Sequence, residues 1–348
     1  MYIEFYGLDA LPFELSPDPK YLMMTARHRE ALANLQYGIS ARKSLTLMTG
    51  EAGTGKTTLV NAALASPACR DARIVQLSNS MLTREEFIEF LARAFHLSPE
   101  AAQSKTTLLA ELEEELLKRR AAGITTALVI DEAQCLEREL LEEIRMLSNI
   151  ETPSEKLLPL VLVGQPEFAE RLNLPSLRQL KQRVALRCEL GTLSEQETAL
   201  YISGRVRIAG GEASIMFTRE AIEEVHRLSG GIPRTISVIC DNALVNGFAL
   251  GIKPVHADLV REVGADFDLD KRAAMTAPQA SAPPAAPQSI RVAGDLRPAV
   301  LPQRLPTPVA HVAPDRPSLQ PAPATVASED ADRPLFGSFK KKRRFSFF

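Results

Sequence analysis

The sequence predicts an α/β fold: a five-stranded parallel sheet covered by helices on both faces, followed by a small all-α domain and a long tail with no core of its own. Three observations carry this expectation. Between residues 44 and 190, short β-prone runs alternate with helical stretches, as parallel strands with crossover helices require. After residue 191 only helical patterns remain. From about Asp270 the composition collapses into Ala, Pro and Gln, and 13 of the 24 prolines fall between Pro278 and Pro334, so that segment reads as a disordered tether.

Taken in order, Tyr2 to Tyr21 reads as an irregular arm. Pro12, Pro17 and Pro19 interrupt regular hydrogen bonding there, yet Tyr2, Phe5, Tyr6, Phe13 and Tyr21 must pack somewhere. Arg27 to Ala41 follows as an amphipathic helix, Ser44 to Thr49 as a buried strand, and residues 57–65 as a helix. Arg73 to Leu77 is a second strand. Thr83-Arg84-Glu85-Glu86 is a capping box that opens a helix over 84–95. Ser104 to Ala122 is a long helix with the apolar stripe Leu108, Leu109, Leu112 and Leu116, and Gly123 stands where it stops. Its acidic and basic runs read as a solvated face.

Ala127 to Gln134 is a buried strand that ends in two carboxylates. A helix over 136–148, an apolar strand over 158–165, a helix over 177–183 and a fifth strand over 184–190 complete the sheet region. Ser194-Glu195-Gln196-Glu197 is a second capping box, opening a helix that Gly210-Gly211 ends, and helices over 219–229, 234–249 and 256–262 form the all-α part.

The 348 residues are 45% hydrophobic, ample for more than one core. Residues 271–348 hold 12 Lys+Arg against 5 Asp+Glu, which leaves the first 270 residues at −9 within a chain of net charge −2. An acidic folded part argues against nucleic acid as the general partner, since such binding relies on neutralising phosphates. Cys69, Cys135, Cys188 and Cys240 are scattered without metal-ligand spacing and read as reduced thiols of a cytosolic protein. The first residues do not form a signal peptide, and no run approaches 18 apolar residues, so no membrane span is expected.

The chemistry is concentrated in Gly50-Glu51-Ala52-Gly53-Thr54-Gly55-Lys56-Thr57-Thr58, which fits G-x-x-x-x-G-K-[ST] between a predicted strand and a predicted helix. The three glycines open backbone conformations that let successive N–H groups converge on phosphate oxygens. Lys56 would reach the β- and γ-phosphates of ATP, and the Thr57 hydroxyl would hold Mg²⁺. Asp131 and Glu132 end a buried strand at the sheet edge where ligands bind. The first is placed to hold Mg²⁺ through water, the second to activate the attacking water. Gln165, at the tip of the next strand, is placed to align that water or touch the γ-phosphate, or else to cap the strand end. Of Arg178, Arg183 and Arg187, we select Arg183 as the guanidinium that reaches a phosphate held by a neighbouring subunit. Arg234, after Gly230-Gly231-Ile232-Pro233, would reach the γ-phosphate from the all-α side. The five histidines, 28, 96, 226, 256 and 311, share no ligand spacing and read as incidental.

The segments GEAGTGKTT, LVIDEAQ, LVGQPE, LRQLKQRV and GGIPRTISVICDNAL, with the opening YGL…PF…PDPKYL…HREAL, resemble the ExeA-type AAA+ ATPases, the general secretion pathway protein A family, with relatives in pilus and exopolysaccharide or exosortase systems. The resemblance covers residues 1 to about 266. Beyond it, composition marks a Pro/Ala-rich linker over 267–335 and a basic-aromatic tail over 336–348, while the resemblance implies a P-loop αβα core over 1–191 carrying the N-terminal arm and a helical lid over 192–266. It also implies Walker A roles for Lys56 and Thr57, Walker B roles for Asp131 and Glu132, the sensor 1 place for Gln165, the arginine finger for Arg183 and sensor 2 for Arg234. Asp18 and Pro19 match the opening motif, which places the arm across the nucleotide domain near the base. Gln165 departs from the Asn or Thr usual at sensor 1. The expected function is an ATPase that works as a homo-oligomer and drives or regulates assembly of an envelope secretion, pilus or exopolysaccharide-export machine. Its expected place is the cytoplasm, with the tail suited to the anionic inner-membrane surface. The alternatives are a DNA-handling ATPase of the transposition-helper or loader type, and a nucleotide-gated scaffold with little turnover.

Overall fold

The computed structural model describes residues 1–15, 21, 23–78 and 80–269, all within one unit, Met1–Ala282. The expectations for Asp18, Pro19, the Pro/Ala-rich linker beyond Leu269 and the basic-aromatic tail lie outside the described residues, while Leu269 itself packs in the helical core. The chain opens with a short helix, α1 (Tyr2–Tyr6), then α2 (Ala26–Ser40), β1 (Leu45–Gly50), α3 (Lys56–Leu64), β2 (Ala72–Leu77), α4 (Arg84–Phe95), α5 (Lys105–Ala121) and β3 (Thr125–Ile130). One turn of 3-10 helix (Ala133–Cys135) leads to α6 (Arg138–Leu147), β4 (Leu160–Gly164), α7 (Pro166–Arg171), α8 (Arg178–Lys181) and β5 (Val184–Leu190). Helices α9 (Glu195–Ile208), α10 (Ala213–Met216), α11 (Arg219–Ser229), α12 (Pro233–Leu250) and α13 (Ala257–Asp266) follow.

The five strands form one parallel sheet in the order β2-β3-β4-β1-β5. Alternation along the strands divides the core in two, because successive side chains leave opposite faces of a pleated sheet. Leu45 and Leu47, Leu128 and Ile130, and Leu160 and Leu162 point to one face, where α4 to α8 supply Phe87, Leu91, Leu112, Ile144, Phe168 and Leu180. Met48, Ala127, Val129, Val161 and Val163 point to the other, under Leu35 and Ile39 of α2 and Leu59 and Val60 of α3. Both capping boxes are present: Thr83 and Glu86 open α4, and Ser194 and Glu197 open α9. Each such cap is worth about 1 kcal/mol.

The arm departs from expectation. Tyr2–Tyr6 is helical, with both tyrosines buried on one side and Gly7 ending it at φ 70°. Tyr2, Tyr6, Leu8 and Phe13 join the core formed by α9, α11, α12 and α13, so the arm up to residue 15 packs against the helical part rather than across the sheet. Its anchor is Arg205, itself buried, whose guanidinium donates to the carbonyls of Pro12 (2.6 Å) and Glu14 (2.8 Å) and lies 4.4 Å over the Tyr21 ring. Each fully buried side chain of the arm adds about 1.5–3 kcal/mol to this attachment. The prolines that break regular structure begin only at residue 12, so five aromatic-rich residues ahead of them are free to coil once a partner surface buries them.

Candidate functional site

The strand order sets the site. β4 lies between β1 and β3, so the loop after β1, the tip of β4 and the carboxylates after β3 come together at the C-terminal edge of the sheet, where α/β proteins bind ligands. Gly53 and Gly55 stand at φ 85° and 94°, a conformation that costs an L side chain about 1–2 kcal/mol. The loop between β1 and α3 therefore folds as a cradle at a helix N-terminus.

Lys56 is 7% exposed, and its ammonium donates to the carbonyls of Gly50 (2.8 Å) and Glu51 (3.0 Å) at the mouth of this loop. Burial pushes its pKa down, against the opposing pull of the Glu132, Asp131 and Glu51 carboxylates. The Thr57 hydroxyl donates to Asp131 Oδ2 at 2.8 Å, and Asp131 is buried. Oδ1 of the same carboxylate accepts from the Glu132 main-chain N–H at 2.8 Å, which holds Glu132 in a left-handed turn at φ 52° with its side chain exposed. A hydroxyl and a carboxylate already paired at a phosphate-type cradle are the hard oxygen donors that Mg²⁺ takes alongside a nucleotide. Among the described residues no group of three or more His, Cys, Asp or Glu could hold a metal ion. The residues present fit ATP with Mg²⁺.

Gln165 is the N-cap of α7, and its main-chain N–H donates to Gln134 Oε1 at 3.0 Å. Arg234 opens α12 with its own N–H 3.2 Å from the Gly53 carbonyl and lines, with Ala52, Gly53, Val238 and Phe267, a cleft between the loop and the helical part. Lys56, Thr57, Asp131, Glu132, Gln165 and Arg234 thus converge. Arg183 does not. It precedes Val184, which pairs with Leu45 at the start of β1, whereas Leu190 pairs with Gly50 at its end. Six residues of strand place Arg183 about 20 Å from the cradle of its own chain, at the opposite edge of the sheet. There it lies near Glu151, whose carboxyl is held below the usual range by its hydrogen bond to Lys156 and, more weakly, by Arg183.

Two further residues that the sequence reading did not single out touch the site. His28 is buried, its Nδ1 lies 2.7 Å from Thr25 Oγ1, and its ring faces the main chain of Thr54 in the loop. Gln134 donates to Glu132 Oε2. The DEAQ tetrapeptide is the available signal for the second; for the first, only the helix cap at Thr25 is local.

Residues 39–172 match the AAA domain family. Over 260 residues, 74% of this chain, the sequence is 43% identical to General secretion pathway protein A of Aeromonas hydrophila, and the chain spans about half of that relative's length (47%). Among solved structures, the ORC2 protein of Aeropyrum pernix in its ADPNP-ADP complexes aligns at TM-score 0.53 and 18% identity over 74% of this chain and 71% of that one. CDC6P from Pyrobaculum aerophilum aligns at TM-score 0.56 and 18% identity over 73% and 70%. Drosophila ORC bound to DNA aligns at TM-score 0.56 and 20% identity over 77% and 67%. At those identities the structural likeness bears on the fold alone.

Proposed function

Because this chain carries an AAA domain and is a relative of General secretion pathway protein A, we propose that it is an ATPase whose turnover drives or regulates assembly of a bacterial envelope secretion or export machine. The observation that carries the enzymatic half is the 2.8 Å bond from Thr57 to Asp131, which joins the phosphate cradle to the acidic end of β3 next to Glu132.

In this reading the loop amides and Lys56 bind the β- and γ-phosphates, Thr57 and Asp131 hold Mg²⁺, and Glu132 takes the proton from the attacking water. Mg²⁺ held there by Thr57 and Asp131 would supply neutralisation of phosphate charge. Arg234 reaches the γ-phosphate from the helical side, and Arg183 serves the site of the next subunit in a homo-oligomer. Arg183 stands at the sheet edge far from its own cradle, which favours action between chains.

The proposed place of work is the cytoplasmic face of the inner membrane. Among the described residues no helix is long and apolar enough to cross a membrane. Lys340-Lys341-Lys342-Arg343-Arg344 flanked by phenylalanines has the composition of a segment that binds anionic lipid. The test is phosphate release from ATP by the full chain with Mg²⁺, with and without anionic vesicles and with and without duplex DNA. Turnover independent of DNA is expected. Absence of turnover under every condition overturns the ATPase reading, and turnover that rises only with DNA replaces the secretion assignment by nucleic-acid handling.

A further inference from the structure

We propose that Gln134 is the positioning residue of the water-activating acid: a side-chain amide that holds the Glu132 carboxylate and ties it to the tip of β4. The proposal rests on the assignment of Glu132 as the base in ATP hydrolysis.

The amide of Gln134 bridges two elements. Its Oε1 accepts from the Gln165 main-chain N–H at 3.0 Å, and its Nε2 donates to Glu132 Oε2. The orientation of the amide follows from the partners, because a main-chain N–H can only donate and a carboxylate can only accept. A flipped amide would set donor against donor at β4 and acceptor against acceptor at Glu132. The bridge also has no slack. A methyl group added to Gly164 would stand 3.1 Å from Gln134 Oε1, so the end of β4 closes directly over the amide.

The main chain beneath is pinned as well. Arg171 of α7 donates through Nη1 to the carbonyls of Gln134 (3.2 Å) and Leu136 (2.6 Å), and the Glu132 N–H is held by Asp131 Oδ1 at 2.8 Å. Glu132 is thus fixed at its backbone by the residue that binds Thr57, and at its carboxylate by the residue that binds β4. Without the amide, an exposed glutamate side chain on a left-handed turn has several rotamers open to it, and one position relative to the attacking water must be selected from them.

Two substitutions separate this role from mere support. Gln134→Glu retains an oxygen that accepts from Gln165 but sets a carboxylate against Glu132. Gln134→Leu removes both bonds. Each is measured for ATP affinity with a fluorescent ATP analogue, for kcat across pH, and for thermal unfolding, alone and combined with Glu132→Gln. With ATP affinity kept, kcat should fall by roughly 10- to 100-fold in both variants, the loss expected for one hydrogen bond to a charged group. The acidic limb of the Gln134→Glu pH profile should move to higher pH by about one unit, since two adjacent carboxylates resist joint ionisation. In the Glu132→Gln background neither substitution should slow the residual rate further.

If the wild type turns over ATP while Gln134→Glu matches it in kcat and in the acidic limb, the positioning role is wrong and the ATPase reading stands. Additive losses in the Glu132→Gln background, or full activity of Glu132→Gln itself, overturn the role in the same way. If the wild type releases no phosphate, the ATPase reading fails first and takes this role with it.

Discussion

The main-chain N–H of Arg234 donates to the carbonyl of Gly53 at 3.2 Å, so a backbone hydrogen bond joins the head of α12 to the phosphate loop. The guanidinium is not needed for that docking and stands exposed beside the cleft. Arg234→Ala should therefore leave unfolding within about 0.5 kcal/mol of wild type, as for surface substitutions. Its ATP turnover should fall by roughly tenfold or more, the effect of removing one charge-assisted bond to phosphate. Calorimetric unfolding beside a phosphate-release assay checks the split.

Lys56 and Glu132 should separate binding from chemistry. Lys56→Ala removes the buried ammonium at the loop mouth and should weaken nucleotide affinity by roughly 10- to 100-fold. Glu132→Gln keeps the size of the side chain and loses its basicity, so affinity should persist while hydrolysis slows by about 10²- to 10⁴-fold. Titration with a fluorescent nucleotide and single-turnover hydrolysis distinguish the two outcomes.

Arg183 sits at the foot of β5, out of reach of its own cradle. Arg183→Ala should be inactive alone yet regain part of its activity when mixed with Glu132→Gln subunits, because a mixed interface in one of its two orientations pairs an intact arginine with an intact acid. Equal mixtures compared with the separate variants in phosphate release give the answer, and failure to gain activity argues against a site shared between chains.

Burial holds the His28 imidazole below its ordinary pKa of 6.5, opposed by its bond to the Thr54 main chain and by the charge of Glu197. The folded protein keeps this ring neutral at a pH where the unfolded chain already takes up a proton. Stability is therefore full above about pH 6.5 and declines as the pH falls toward the lowered folded value. His28→Gln should flatten that part of the profile. Because His28 bears on the loop, the wild type should also lose nucleotide affinity over the same interval. Thermal unfolding and nucleotide titration between pH 5 and 8 check both.

The parts of the molecule legible in the sequence are those fixed by local rules. The glycine spacing of residues 50–57 and the capping boxes at Thr83 and Ser194 depend on neighbours within a turn, and they stand at the expected residues. Strand β5 was bounded correctly at Val184 and Leu190 for the same reason. Other features depend on partners distant in sequence. The position of β4 between β1 and β3 is a matter of long-range pairing, and it alone puts Gln165 between the loop and the acids. Helix α1 forms because α12 and its neighbours bury Tyr2 and Tyr6. Helices α7 and α10, of 6 and 4 residues, are shorter than an isolated helix can sustain and left no periodicity to read. The bearing of His28 on the loop is not legible in the sequence because Thr54 comes near its ring only when α2 packs beneath the loop, although Thr25 beside it is the local N-cap.

The pairing of Leu45 with Val184 at one end and Gly50 with Leu190 at the other gives each chain two unlike poles, an arginine at one and a phosphate cradle at the other. If the two meet between copies, a two-fold dimer satisfies both contacts only where arginine and cradle lie on one self-complementary patch, whereas unlike patches meet head-to-tail. Assembly by that contact must either close by rotation or extend as a helical filament. In a filament, or in any ring left open, one terminal copy keeps a cradle that no arginine has entered.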